Sequence, residues 1–197
     1  MTTESTATTT TAPDPTATTT AATAPDPAAP APAAGPVGAR TLFLAGPFIQ
    51  LLDPLTGRMP EAARTPFTEL IAHFEALGVS VHNAHRREAW GAELMRPEVC
   101  TPLDRDEIRR ADAFVALPGH PASPGTHIEI GWASAFGKPI VLLLERGREY
   151  TFLVRGLGTV ATVEYVEYTV LADALPEVDR ALRRAVARHR EAAAPAA

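Results

Sequence analysis

Cysteine and lysine are almost absent from this sequence, because Cys100 and Lys138 are the only residues of their kinds among 197. A single cysteine excludes an intramolecular disulfide framework and a metal site built from several cysteines. The 6 histidines show no HExxH or similar ligand spacing, and the glycine-rich P-loop and dinucleotide-binding motifs are missing. We therefore expect neither a metal site nor a cofactor.

The sequence also lacks the signals of a membrane or secreted protein. No segment approaches the roughly 20 apolar residues of a membrane-spanning helix, and the N-terminal segment has neither the basic start nor the apolar run of a secretory signal. A net charge of −5 argues against a surface that binds nucleic acid by neutralising many phosphates. We expect a cytoplasmic protein that binds neither membrane nor nucleic acid.

Large apolar side chains are rare near the N-terminus. Residues 1–38 consist almost wholly of Thr, Ala, Pro, Asp, Gly and Ser, and only Met1 and Val37 offer a large apolar side chain. Such a segment cannot offset the entropy cost of its own ordering. We therefore expect a disordered tail over residues 1–38, one domain over residues 39–190 and a disordered C-terminus over residues 191–197.

In the central part of the chain, short apolar runs alternate with segments of helical periodicity. The apolar runs predict strands at 41–45, 79–83, 113–118, 139–145 and 162–167, and the periodic segments predict helices at about 67–77, 103–112, 126–137, 149–156 and 171–190. This alternation predicts an α/β fold with a doubly wound, flavodoxin-like five-stranded parallel sheet and helices on both faces. In such a sheet the ligand binds beyond the carboxyl ends of the strands.

The segment SPGTHIEIGWA, which follows the third predicted strand, carries the candidate chemistry. Ser123, Gly125 and Thr126 lie where a strand leads into a helix, so their hydroxyl and backbone N–H groups could hold a phosphate at the positive helix end. Glu129 lies about one turn further, within reach of a sugar carried by that phosphate. The pattern Thr126-x-x-Glu129 is also a capping box, in which Glu129 only accepts a hydrogen bond from the backbone of Thr126. Both interpretations stay open at this point.

A second acidic candidate is Asp104, in the segment LDRDEIRRAD. Asp104 shares a helical face with Ile108 and Ala111, which should turn toward the core. Acidic residues in a first helical turn also stabilise the helix dipole. Asp104, Asp106 and Glu107 can therefore be explained without any function.

Two further segments could contact a ligand. The loop GPFIQ at 46–50 follows the first strand and could place backbone amides and an aromatic ring against it, although Gly-Pro after a strand often forms only a turn. The segment NAHRREAW at 83–90 combines a cation, an amide and an indole, which suits stacking on a base and hydrogen bonding to it. Surface charge around a partly buried Trp explains the same segment equally well.

Taken together, these segments resemble the nucleoside 2-deoxyribosyltransferase superfamily. The likeness runs from about Thr41 to Leu157 and is carried, in this order, by FLAGPFIQLLDPLTG, HNAHRREAWGAE, LDRDEIRRADAFVALPG, PASPGTHIEIGWAS and GKPIVLLLE. Within the superfamily, the chain is most similar to the nucleotide N-glycosidases that hydrolyse CMP or hydroxymethyl-CMP in peptidyl-nucleoside antibiotic pathways such as those of blasticidin S and mildiomycin.

The resemblance implies a role for each matching residue. Glu129 stands where the family has its catalytic glutamate, the nucleophile at the anomeric carbon, and Asp104 stands where the family has an assisting aspartate. Ser123 and Gly125 match a phosphate-binding loop, and Thr151 matches a hydroxyl residue that reaches the phosphate in a neighbouring subunit. Because family members are commonly dimers, we expect a homodimer with a shared active site. The expected substrate-binding residues are Phe43, Gly46, Pro47, Phe48, Ile49, His85, Arg86, Trp90, Ser123, Gly125, Thr126 and Thr151.

The resemblance also implies an enzyme, a nucleotide N-glycosidase. The expected reaction converts CMP to cytosine and ribose 5-phosphate with retention at the anomeric carbon, which would supply cytosine to nucleoside antibiotic biosynthesis. Hydroxymethyl-CMP hydrolases have arginine after Gly-Pro-Phe, whereas this chain has Ile49, which cannot hydrogen-bond a hydroxymethyl group. The alternatives are a hydroxymethyl-CMP hydrolase, a nucleoside 2-deoxyribosyltransferase and, in another class, a non-catalytic nucleotide-binding module.

Overall fold

A computed structural model describes residues 35–194 of the chain. The described residues form one parallel sheet of five strands in the order β2-β1-β3-β4-β5. The strands are β1 (Thr41–Ala45), β2 (Ser80–His82), β3 (Ala113–Ala116), β4 (Ile140–Glu145) and β5 (Val163–Tyr168). This arrangement confirms the predicted doubly wound, flavodoxin-like α/β fold.

Six α-helices accompany the sheet within the described residues. They are α1 (Glu61–Ala76), α2 (Ala84–Arg87), α3 (Pro97–Arg110), α4 (Pro124–Ala135), α5 (Phe152–Gly156) and α6 (Leu171–Ala193). Short 3-10 helices lie at Ile49–Leu51, Ala89–Gly91 and Leu157–Thr159. Over residues 35–194, no helix combines the length and the apolar character that a membrane crossing requires.

The central strands β1, β3 and β4 are buried on both faces, because helices cover each side of the sheet. Successive residues of a strand point to opposite faces, so Leu42 and Leu44 of β1 pack with the side chains of α1 and α6. Phe43 and Ala45 pack on the other face with those of α3, α4 and α5. Burial on both faces explains why the central strands are unbroken apolar runs in the sequence.

Three helices begin earlier than the sequence predicts, and the first of them, α1, begins at Glu61 instead of about residue 67. Helix α3 begins at Pro97 instead of residue 103, with proline in its first turn, where a missing N–H costs nothing. Helix α4 begins at Pro124 instead of Thr126, because Ser123 caps it. Helices α3 and α4 both begin in polar, proline-containing segments without helical periodicity. Hydrophobic spacing alone therefore predicts their first residues too late in the sequence.

The predicted termini lie mostly outside the described residues, which exclude 1–34 and 195–197. At the described end of the N-terminal segment, Val37 is fully buried in the core, and Arg190 of α6 donates to the carbonyl of Gly38 at 2.6 Å. Helix α6 continues to Ala193, into the segment expected to be disordered. We therefore propose domain limits near residues 35 and 193.

Candidate active site

An open cleft of about 450 Å³ lies beyond the carboxyl ends of β1 and β3. The chain leaves β1 to form β2 on one side and then β3 on the other side, so this is the point where the strand order reverses and where doubly wound folds bind ligands. Most of the predicted site residues line the cleft: Gly46, Phe48, Ile49, His85, Asp104, Ser123, Gly125, Thr126 and Glu129.

The N-terminus of α4 forms one wall of the cleft. Ser123 is the N-cap residue, and its Oγ accepts a hydrogen bond from the Thr126 backbone N–H at 3.4 Å. Thr126 therefore lies inside the first turn, and its Oγ1 is buried without a partner among the described residues. At Gly125 a Cβ would meet no atom within 4 Å. This end of the helix combines the positive dipole end with hydroxyl groups and open space, which suits an anion.

The capping-box interpretation of Glu129 is wrong. That interpretation requires Thr126 at the cap, whereas the cap is Ser123 and the Thr126 backbone N–H is bonded to it. Glu129 lies in the second turn of α4 instead, half-buried in the cleft wall. The helix end is complete without Glu129, so its carboxylate is available to a ligand.

The helix-dipole interpretation of Asp104 is also wrong. Because α3 begins at Pro97, its acidic first-turn residue is Glu98, and Asp104 lies about two turns further along. Asp104 is half-buried in the cleft wall, whereas Ile108, one turn later on the same face, is fully buried. The predicted inward face of this helix is thus confirmed.

The two carboxyl groups of Glu129 and Asp104 influence each other's protonation. Burial, together with the negative charge of Asp104, raises the pKa of Glu129 to about 8, and the Arg87 guanidinium opposes this shift. Burial also raises the pKa of Asp104, against the hydrogen bond and charge of Arg87. A pKa of about 8 favours the protonated form of Glu129 near neutral pH, and Arg87 opposes the protonation of both carboxyl groups.

His85 lines the cleft as a neutral side chain. The Asn83 amide Nδ2 donates to the carbonyl of Leu44 and to His85 Nδ1, both at 2.9 Å, so His85 Nε2 carries the proton that is donated to the Pro47 carbonyl at 2.9 Å. Burial lowers the pKa of His85 to about 4. The imidazole also stacks on the Phe67 ring, with centroids 4.1 Å apart. His85 therefore fixes the loop that follows β1.

Three of the predicted binding residues lie near this loop but outside the cleft wall. Phe43 is fully buried within the sheet and stacks on Phe114 with a centroid distance of 6.0 Å. Pro47 uses its carbonyl to accept from His85, as described above. Trp90 lies beside the guanidinium of Arg64, which is 5.8 Å from the indole centroid. The structure assigns these three residues no direct place at the cleft.

Arg86 and Thr151 also lie outside the cleft. Arg86 donates to Glu75 Oε1 and to the Val81 carbonyl, both at 2.6 Å, on the outer side of α2. Thr151 caps α5, is exposed, and has its Oγ1 3.3 Å from His127 Nε2. Within one chain, neither side chain reaches the cleft wall.

Sequence reasoning missed two charged residues next to Arg86. Arg87 donates to Asp104 and to Glu107, and Glu88 lines the cleft with 5 % of its surface exposed, accepting from the Met95 backbone N–H at 2.9 Å. Arginine and glutamate in a polar segment are typical of a solvent-exposed helix. The sequence at 86–88 does not show that Arg87 and Glu88 point inward. The cap formed by Asn83, which fixes the direction of α2, is the signal that could have found them.

The residues of the cleft lie within a segment that matches a known protein family. The profile of the family described as nucleoside 2-deoxyribosyltransferase matches residues 43–176. The solution structure of BlsM shares 62% sequence identity, covers 82% of this chain and 98% of the BlsM chain, and has a TM-score of 0.70. The structure of the Clostridium botulinum CMP N-glycosidase BcmB shares 37% identity, covers 71% of this chain and 98% of its own, and has a TM-score of 0.54. Among curated protein sequences no match was found.

Proposed function

This chain belongs to the nucleoside 2-deoxyribosyltransferase family and is an enzyme that acts on N-glycosyl bonds, and within that family we propose that it hydrolyses CMP to cytosine and ribose 5-phosphate. The observation that carries the proposal is the cleft itself, which joins a helix end suited to an anion to a half-buried pair of carboxyl groups. The likeness to BcmB, whose name specifies a CMP N-glycosidase, supports CMP as the substrate.

In the proposed complex, the 5′-phosphate docks at the N-terminus of α4. The Ser123 hydroxyl uses an oxygen lone pair in the helix cap, so its proton is free to be donated to a phosphate oxygen. The buried Thr126 Oγ1, which has no partner among the described residues, gains one in the same way. Gly125 leaves space for the phosphate to approach the backbone N–H groups. Docking there fixes the ribose over Glu129.

Glu129 acts as the nucleophile in this proposal. Its carboxylate attacks C1′ while the bond to N1 of cytosine breaks, and a ribosyl-enzyme ester forms. Cytosine leaves with the electron pair of the broken bond and takes a proton from water. Water then hydrolyses the ester and releases ribose 5-phosphate with retention. Since only the carboxylate form attacks, the proton that a pKa of about 8 places on Glu129 near neutral pH must leave before the first step.

Asp104 supplies negative charge beside the reacting carbon. The transition state is an oxocarbenium-like cation, and a fixed carboxylate in a half-buried wall stabilises positive charge more strongly than water does. The Arg87 hydrogen bond and charge favour the ionised form of Asp104 and oppose the burial that raises its pKa. Asp104 therefore acts by electrostatic stabilisation.

The base is expected to bind on the side of the cleft formed by the loop after β1. Phe48 lines the cleft there, and Ile49 also lines it with 64% of its surface exposed. An apolar side chain at position 49 offers no hydrogen bond to a hydroxymethyl group, which favours unmodified CMP over hydroxymethyl-CMP. A role in supplying cytosine to nucleoside antibiotic biosynthesis rests on the family likeness and belongs to the proposal.

The deciding experiment compares the wild-type protein with Glu129→Gln on a panel of nucleoside monophosphates. We expect wild type to release cytosine from CMP with the highest kcat/KM of the panel, hydroxymethyl-CMP included, and Glu129→Gln to lower kcat by about 10⁴-fold or more. Circular dichroism and equilibrium binding of CMP should show that the variant still folds and binds. A Glu129→Gln variant that keeps wild-type turnover would refute the assignment.

The same assay separates the competing functions. A deoxyribosyltransferase would form a new nucleoside when an acceptor base is added, whereas the proposed hydrolase forms ribose 5-phosphate regardless of acceptor. A non-catalytic nucleotide-binding module would bind CMP without releasing cytosine in either protein. Quantifying free base, sugar phosphate and new nucleoside in one reaction therefore identifies the class.

A further inference from the structure

Arg87 connects α2 to the carboxyl groups of α3. Its Nη2 donates to Asp104 Oδ1 and its Nη1 donates to Glu107 Oε2 at 2.6 Å. Its Nε is buried without a partner among the described residues, and the side chain is 21% exposed. The guanidinium thus bridges two residues one turn apart on α3, Asp104 and Glu107, with separate N–H groups held in a rigid planar fork.

The local structure of α2 gives Arg87 its direction. Asn83 caps this helix by accepting from the Arg86 backbone N–H at 2.9 Å, so residues 84–87 form a single turn. Within that turn Arg86 faces outward to Glu75, and Arg87 faces inward to α3. The two arginines are adjacent in sequence, but their side chains point to opposite sides of α2.

We propose that Arg87 is a positioning residue for the glycosidic reaction, whose guanidinium bridges Asp104 and Glu107 and thereby fixes the Asp104 carboxylate on the cleft wall beside Glu129. This inference rests on the proposed function. Arg87 does not touch the substrate in this proposal, and it acts through Asp104. Without the bridge, Asp104 could turn away from the cleft or take up a proton, and in both cases the charge beside the reacting carbon would be lost.

The charged and titratable groups around Asp104 are predominantly acidic. They comprise Arg87, Glu88 and the neutral His85 from α2 and its C-cap, Glu107 and Cys100 from α3, Glu129 from α4, and His82 of β2, whose Nδ1 is 3.5 Å from Glu107. Glu88 Oε1 is 4.0 Å from the same Nη2 that binds Asp104. Removing the positive charge of Arg87 from this cluster would favour protonation of both Asp104 and Glu129.

The test is a double-mutant cycle on the full chain with CMP as substrate. Arg87→Met should lower kcat far more than it raises KM and should move the acid limb of the kcat/KM profile to higher pH by about one unit or more. In the Asp104→Asn background, at a pH above the acid limb where Glu129 is ionised, Arg87→Met should lower kcat by less than about threefold more. A residue that acts through Asp104 loses its effect on kcat once Asp104 is replaced. The control is Arg109→Met, which breaks an exposed pair with Asp106 on the same helix and should leave both profiles unchanged.

Arg87→Lys keeps the proposal testable if Arg87→Met does not fold. Lysine retains the charge but lacks the rigid planar fork that fixes the Asp104 carboxylate, so kcat should fall while the acid limb stays near its wild-type position. Additive effects of Arg87→Met and Asp104→Asn, or wild-type kcat in Arg87→Lys, would overturn the inference. If wild type itself releases no cytosine, the proposed function fails first, and that outcome is distinguishable from a failure of the Arg87 inference.

Discussion

At the scale of single residues, the chemistry of this cleft depends on where one proton resides. Burial and the Asp104 charge raise the pKa of Glu129 to about 8, although a nucleophilic carboxylate must be ionised. The proposed reaction therefore takes place in a cleft that favours the protonated form of its proposed nucleophile near neutral pH. The raised pKa is the physical consequence of placing two carboxyl groups in one wall with a single arginine behind them.

This leads to a prediction for the pH dependence of the reaction. Because the reactive form of Glu129 is the ionised one, kcat/KM for CMP should rise with pH between 7 and 9 and level off above a pKa of about 8. The phosphate group of the substrate, with its second pKa near 6, does not account for a rise in that window. Steady-state assays over this range provide the measurement, and a flat or falling profile would show that Glu129 is not the titrating nucleophile.

The sequence identifies a cleft residue where that residue has a defined place in a motif. It fails where the direction of the side chain determines whether the residue reaches the cleft. Glu129, Asp104 and Ser123 were predicted and lie at the cleft, although their proposed roles still await the experiments above. Arg86 was predicted and faces away, whereas Arg87 beside it was missed and faces α3. Adjacent residues of a single helical turn differ in direction by about 100°, and the sequence alone does not show where the turn begins.

At the scale of elements, the N-terminus of α4 does two things at once. Ser123 caps the helix, and the same end is the proposed phosphate site. Helix capping and anion binding use the same backbone N–H groups, so stability and affinity are hard to separate by changing Ser123. Gly125 allows the separation, since a Cβ there meets no atom of the described chain within 4 Å.

We therefore predict that Gly125→Ala raises KM for CMP without destabilising the fold. The methyl group occupies the space proposed for the phosphate, and a lost hydrogen bond to a charged group costs about 1.5–3 kcal/mol, or roughly tenfold or more in affinity. The matched control is Gly131→Ala in the same helix, where a Cβ is equally free of contacts. The control should raise thermal stability slightly, by up to about 1 kcal/mol, and leave KM unchanged. Equal KM values for both variants would place the phosphate elsewhere.

The elements themselves were largely predictable because the central strands are buried on both faces. Unbroken apolar runs such as that of β4 leave few alternatives for the strand positions. Helix starts were less predictable, because caps and prolines determine them and leave no periodic signal, as the start of α3 at Pro97 shows. This difference affects the interpretation of Asp104, which lies in the first turn of a helix that begins at residue 103 but not of one that begins at Pro97.

At the scale of the whole molecule, the phosphate contact predicted for Thr151 is not formed within one chain. Thr151 lies outside its own cleft, and the two residues that follow it, Phe152 and Leu153, are each 85% exposed. Two large adjacent apolar side chains at the surface favour a protein contact. We propose that this surface, Thr151–Leu153, packs against a second copy of the chain, where Thr151 reaches the neighbouring cleft.

A subunit-mixing experiment tests this shared site. Glu129→Gln and Thr151→Ala homodimers should each have low activity, because the first lacks the nucleophile in every cleft and the second lacks the phosphate contact. In mixed dimers, the cleft of the Thr151→Ala subunit keeps Glu129 and receives Thr151 from its partner. Co-refolding the two variants should therefore restore activity well above the sum of the separate proteins.

A charged substitution tests the proposed contact between two copies of the chain. Leu153→Asp should convert the dimer to a monomer by sedimentation and lower kcat/KM for CMP, because burying an unpaired carboxylate opposes association. Leu55→Asp, at a side chain that is 94% exposed in a different loop, is the matched control and should change neither property. If mixing restores no activity and Leu153→Asp sediments like wild type, Thr151 acts within its own chain or not at all, and the cleft is complete in one subunit.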